Sequence, residues 1–223
     1  MGAKRYNGSG WENISVHKRY TGGEWKTMDT GCRWSGSEWS PLWNAGPFQA
    51  SFRLNRYGVY FDDGTRDSST EQIGYMAVGA FESVIPRVRS TLLIYDTQEM
   101  AAQLQNVSIS KAEMNVFRYG SGHSSVGEAR QLGLQYSNTL SSVTATCDPN
   151  ALWGDGQACV APIMIGPERS VTMQIKPEVI EGMRDGIIKS LLFTTKGDSS
   201  DGLFMWLSPN RTYMNIVVTY TII

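Results

Sequence analysis

The sequence predicts an all-β protein: tandem β-hairpin repeats at the N-terminus, then a jelly-roll-like β-sandwich with two short helices. Three observations predict it. The first is composition. Only 18% of the 223 residues are charged, against about 25% in a typical domain, while 23 are glycine and 11% are aromatic. Low charge with many turn formers and aromatics fits a turn-rich β protein. The second is an internal repeat near the start. The third is a succession of short apolar runs separated by turn residues, with no βαβ alternation.

The repeat comes first in the chain. KRYNGSGWEN from Lys4, KRYTGGEWKT from Lys18 and CRWSGSEWSP from Cys32 start 14 residues apart. Trp11, Trp25 and Trp39 hold one position of the unit. Tyr6, Tyr20 and Trp34 hold another, and Gly8, Gly22 and Gly36 a third. The pattern predicts an aromatic strand, a glycine turn and a returning strand that carries tryptophan. Glycine supplies the positive φ that tight hairpins need. So short a region has too little core to stand alone. Its aromatics require a partner surface, such as identical chains around an axis or a larger scaffold. Structural packing of these six residues is favoured over a sugar-stacking role.

Ser40 to Pro47 holds two prolines and a glycine and reads as a linker. This places hairpin repeats in 1–46, for assembly or attachment, and a β-sandwich in 47–223.

The second region reads as strands at Phe48–Leu54, Gly74–Gly79, Arg89–Tyr95, Ala112–Tyr119, Ala129–Tyr136, Val171–Ile175, Lys189–Thr195, Leu203–Leu207 and Asn215–Ile222. Met114, Val116 and Arg118 fall on one face of the fourth. A helix is expected over Asp96–Leu104, with Asp96 as its cap, and a second over Pro177–Met183, with proline in its first turn. The first helix leads on to Val107-Ser108-Ile109. The apolar C-terminal strand is expected to be tied into the sheet.

The functional classes narrow by chemistry. Net charge is −1, and Glu12, Glu24 and Asp29 interleave with the N-terminal cations, so nucleic acid is not an expected partner. No apolar run approaches the ~18 residues of a membrane span, and no signal peptide is expected in the opening residues. There is no GxSxG, HExxH, phosphate loop or dinucleotide fingerprint, and the chain is read as no enzyme. His123 sits beside serines in a glycine loop. Adjacency in sequence does not build a triad, so a solvated or backbone-bonded histidine is favoured. A paired-carboxylate glycosidase stays open, since its two residues need not be close in sequence. Asp62–Asp67 and Asp198–Asp201 are acidic turns that match no EF-hand spacing; solvated turns are favoured over calcium. No metal ligand or cofactor is assigned. Cys32, Cys147 and Cys159 are read as reduced thiols, with a Cys147–Cys159 disulfide as the alternative. Asp148 to Gly166 reads as one long loop. Trp153 within it is either an exposed binding aromatic or a core anchor, and with His123 it is a surface-binding candidate.

The repeat units GSGWEN, GGEWKT and GSEWSP resemble short modules of tail-fibre-like minor tail proteins of phages that infect Gram-positive and actinobacterial hosts. RSTLLIYDTQEMAAQLQNVSISKAEMNVFRYGSGHSS is similar to the β-sandwich region of such proteins. Gly182–Ile188, GMRDGII, resembles a glycine-bearing segment late in the same domain. The resemblance covers the front and much of the middle of the chain. It implies a virion tail component, assembled in the host cytoplasm as a homotrimer with other virion proteins, that adsorbs to the host surface. A cell-surface glycan is the candidate receptor. It implies no catalytic or ligand residues. The chain lacks the long shaft of a tail fibre, which keeps a capsid decoration or head-fibre protein open, and a carbohydrate-binding module remains a further alternative.

Overall fold

The computed structural model describes residues 4–6, 11–13, 18–21, 24–27, 30–34, 39–44, 47–72, 74–80, 87–120, 129–194, 205–210 and 213–222. Before Pro47 it describes strand pairing only. His123 and Asp198–Asp201 lie outside the described residues.

Six short strands open the chain and pair in sequence. β1 (Lys4–Tyr6) pairs with β2 (Trp11–Asn13), β3 (Lys18–Thr21) with β4 (Glu24–Thr27), and β5 (Thr30–Trp34) with β6 (Trp39–Asn44), all antiparallel. Tyr6 stands opposite Trp11, Tyr20 opposite Trp25 and Trp34 opposite Trp39. The expected linker is corrected here: Ser40 to Asn44 belong to β6. Pro41 is tolerated because the register shifts beside it, between Gly31 and Cys32. A bulge accepts a residue that cannot donate to the ladder.

The remaining strands form one antiparallel sheet that curls on itself. One half runs β12 (Arg130–Ser137), β16 (Ser190–Thr194), β10 (Val88–Tyr95) and β8 (Leu54–Phe61). The other runs β15 (Arg169–Ile175), β11 (Val107–Arg118), β18 (Ile216–Ile222) and β7 (Phe48–Phe52). β9 (Met76–Ala80) and β17 (Met205–Leu207) join the halves, pairing in the order β10, β9, β17, β11.

Alternation decides what lies between the halves. Leu132, Leu134, Leu191, Phe193 and Leu93 point inward from the first half. Ala112, Met114, Val116, Met173, Ile175, Ile216 and Val218 meet them from the second. Arg118, on the Met114 face as expected, is also buried, and its guanidinium donates to the Ile165 carbonyl at 3.0 Å. Helix α2 (Thr97–Gln103) packs beside α3 (Pro177–Arg184), and their Met100, Val179, Ile180 and Met183 join this core. The Asp96 carboxylate caps α2, accepting from the Gln98 and Glu99 amides at 3.0 Å each. Among the described residues no helix is long and apolar enough to cross a membrane.

Four elements differ from expectation. The expected strand Phe48–Leu54 ends at Phe52 as β7, and a separate strand, β8, starts at Leu54 and runs through Asn55, Arg56 and Gly58, which break the apolar pattern, because it pairs along β10. β11 fuses two expected segments across an irregularity between Ile109 and Lys111. A third short helix, α1 (Ser68–Gln72), follows Asp67, whose carboxylate accepts from the Thr70 amide at 3.2 Å. The expected long loop holds a 3-10 turn at Pro149–Trp153 and two strands, β13 (Gly156–Gln157) and β14 (Ile163–Ile165), which both pair with β12. β18 pairs on both sides, with β11 and β7, so the C-terminal strand is held in the sheet as expected.

Candidate functional site

The outer face of the β12 half carries the site. A second, smaller core covers part of it. Tyr60, Leu92, Ile94 and Leu192 point outward there and are roofed by Leu140, Val143, Cys147 and Leu152 from the segment after β12. The Tyr60 hydroxyl fastens the roof: it donates to the Thr144 carbonyl and accepts from the Thr144 amide, both at 2.9 Å.

The 3-10 turn sets Trp153. Asp148 caps the turn by accepting from the Asn150 amide at 2.9 Å, with Pro149 fixing its start. Leu152, 2% exposed, anchors the turn to the sheet, while Trp153 stays 38% exposed. Gly154 then reverses the chain at φ 75°. A Cβ there would stand 2.6 Å from the Cβ of Gln135. Asp155 holds the next corner, its amide donating to the Tyr136 carbonyl at 2.7 Å and its carboxylate accepting from the Asn138 amide at 2.6 Å.

These contacts leave an open cleft of about 410 Å³ beside Trp153. Its floor is the outward row of β12, namely Gln131, Gly133 and Gln135, with Thr194 paired beside Gly133. Gln157 and Pro162 close the far side. Met164 is 59% exposed and pairs in register with Gln131. The described lining thus combines aromatic and apolar rims with an amide floor. It contains Asp155 but no Lys, Arg or His. The buried Cys159 thiol also lines the cleft, and the arrangement offers stacking and hydrogen bonds.

The cysteines lie in separate places. Cys159 is buried in the main core beneath the cleft and Cys147 is half-buried within the roof, and both are free thiols. The alternative disulfide is therefore corrected. Burial, and next the nearby Asp148 charge, push the Cys147 thiol above its ordinary value.

The acidic turn after β8 is occupied by the fold itself. Asp63 accepts from the Thr65 amide at 2.9 Å and from its hydroxyl at 2.5 Å. Asp67, 3% exposed, accepts from Arg89 Nε at 2.7 Å, from the Thr70 hydroxyl at 2.7 Å and from the Ser69 hydroxyl at 2.6 Å. Burial alone would raise the Asp67 carboxyl; the bonds from Arg89, Ser69 and Thr70 outweigh it and hold the group down to about 2. Among the described residues no group of three or more His, Cys, Asp or Glu could hold a metal ion.

A run of half-buried rings marks a second surface. Phe117 stacks on Tyr213 at 5.1 Å and meets Tyr119 edge-on at 5.3 Å; Tyr75 touches Tyr119 at 5.0 Å and Trp206 at 5.1 Å. These rings fasten the ends of β11, β9 and β17 to one another.

Of the residues singled out in the sequence, Trp153 lies in the cleft, on its exposed side. Tyr6, Trp11, Tyr20, Trp25, Trp34 and Trp39 occupy paired strand positions, and their side chains lie outside the described residues. Sequence reasoning missed Gln131, Gly133 and Gln135. The signal was present in RQLGLQY, whose polar alternate positions face away from Leu132 and Leu134. No protein-family model matches the chain, and no curated protein matches it.

Proposed function

We propose that the chain is a structural component of a phage tail, a minor tail or tail-fibre protein that takes part in host-surface recognition and attachment. The observation that carries this reading is the shared register of the three N-terminal strand pairs. In each 14-residue unit the first position pairs with the tenth and the aromatic with the tryptophan, as Lys4 with Asn13, Lys18 with Thr27 and Cys32 with Pro41 illustrate. We read these pairs as three copies of one hairpin module and the curled sheet as a jelly roll. An isolated two-stranded hairpin is marginal in water. Three such modules need a surface to bury their aromatics, which a homotrimer or a neighbouring virion protein supplies. The cleft beside Trp153 then serves as the surface that meets the host, and a glycan is its receptor. The cleft also favours a second reading, a carbohydrate-binding module outside a virion, because an exposed tryptophan above amides suits both.

Immunogold labelling of virus particles with antibody to the chain tests the first reading. Gold at the tail supports it. Gold on the capsid, or on no particle, overturns it.

A further inference from the structure

We propose that the cleft beside Trp153 is a binding site for a neutral saccharide, whose ring lies over bare Gly133 with its C–H face against the tryptophan. The proposal deepens the attachment reading, since it gives the ligand class for that surface.

Gly133 is the observation that carries it. A glycine in mid-strand weakens a sheet, because it adds no packing and loses the most freedom on folding. Other glycines near the site have a steric reason. A Cβ at Gly58 would stand 2.8 Å from Val143, and one at Gly156 would stand 2.6 Å from the Tyr136 hydroxyl. At Gly133 a Cβ would meet only the Thr194 carbonyl, at an ordinary 3.8 Å, and the backbone is not in the left-handed region. Neither the chain nor its neighbours require glycine there. What a side chain would fill is the cleft. Bare backbone inside a strand fits the close approach of a ligand.

The surroundings give the ligand class. A sugar ring has one apolar C–H face and a girdle of hydroxyls that both donate and accept. Exposed Trp153 offers an apolar face with a low entropic cost. Gln131, Gln135 and Gln157 offer amides that donate and accept in the same way. The volume of about 410 Å³ lies within the range of small-ligand sites. Charge selects against anions. Asp155 is the carboxylate of the described lining, and no cation there offsets it. A phosphate-rich wall polymer would meet repulsion, whereas a neutral wall or capsule glycan would not.

The test is binding of the full chain to an array of neutral hexose, pentose and N-acetylhexosamine oligosaccharides beside glycerol-phosphate oligomers, with affinities of the best ligands measured by calorimetry. The expected result is selective binding of a neutral sugar. Gly133→Val and Trp153→Ala should each weaken it by about tenfold or more, the loss of one stacking or shape contact. Gly133→Val should keep or raise the unfolding midpoint, because valine suits a strand. The proposal is overturned if no neutral sugar binds, if the anionic oligomers bind better, or if Gly133→Val binds as the parent does. Immunogold labelling separates this from the attachment reading. Sugar binding by a chain absent from tails overturns attachment alone, and a tail-located chain that binds no neutral sugar overturns the saccharide site alone.

Discussion

Asp67 shows how a single side chain links the acidic turn to the sheet. Its carboxylate joins α1 to Arg89 of β10 while almost wholly buried. A carboxyl held at about 2 when folded, against about 3.9 when unfolded, stabilises the fold above pH ~4. That contribution is lost as the pH falls toward and through 2. Urea unfolding at stepped pH should show the parent losing about 2 kcal/mol more than Asp67→Asn between pH ~5 and ~2. Parallel curves for the two proteins would contradict this. Tyr60 acts at the same scale on the other side of the roof. Tyr60→Phe leaves the Thr144 amide and carbonyl without the hydroxyl, and should cost about 1–3 kcal/mol in the same assay. The free thiols add a third expectation. Because Cys147 and Cys159 lie in separate cores, a reducing agent should leave the thermal midpoint unchanged.

At the scale of elements, the 3-10 turn is the part on which the cleft depends. Leu152 is its anchor in the second core. Leu152→Ala should lower stability by about 2–4 kcal/mol and loosen Trp153, read as a red shift of tryptophan emission in the otherwise folded protein. The capped helix α2 tests a simpler rule: Asp96→Ala should cost about 1 kcal/mol. Elements with strong local signals were legible in the sequence. Asp96 before good helix formers, Pro177 at a helix start, the continuous apolar run of β10 and the alternating run of β11 all carry their own pattern. Elements made by tertiary pairing were not. β8 contains Asn55, Arg56 and Gly58 and is a strand because β10 pairs along it. β13 and β14 are two and three residues long and exist only against β12. Pro41 reads as a breaker until a bulge is seen to hold it. The site was half legible for the same reason. Trp153 stands out in sequence, but its glutamine floor is the outward row of β12, which becomes a floor only when the following segment folds back over that strand.

At the scale of the whole molecule, the proposed attachment role divides the work. The curled sheet provides a rigid frame with a filled interior, so binding falls to its outer face. In that proposal the N-terminal hairpins, too small to stand alone, are the assembly region. Sedimentation of the purified full chain should give a homotrimer, and a chain lacking residues 1–46 should dissociate. A monomeric full chain would count against assembly through the hairpins. Adsorption competition tests attachment most directly. Host cells are incubated with excess purified chain, and the rate at which phage particles adsorb is then measured. The attachment account expects the parent chain to slow adsorption and Gly133→Val to leave it unchanged. Unaltered adsorption with the parent chain would contradict it; equal blocking by both proteins would contradict the saccharide site at Gly133 alone.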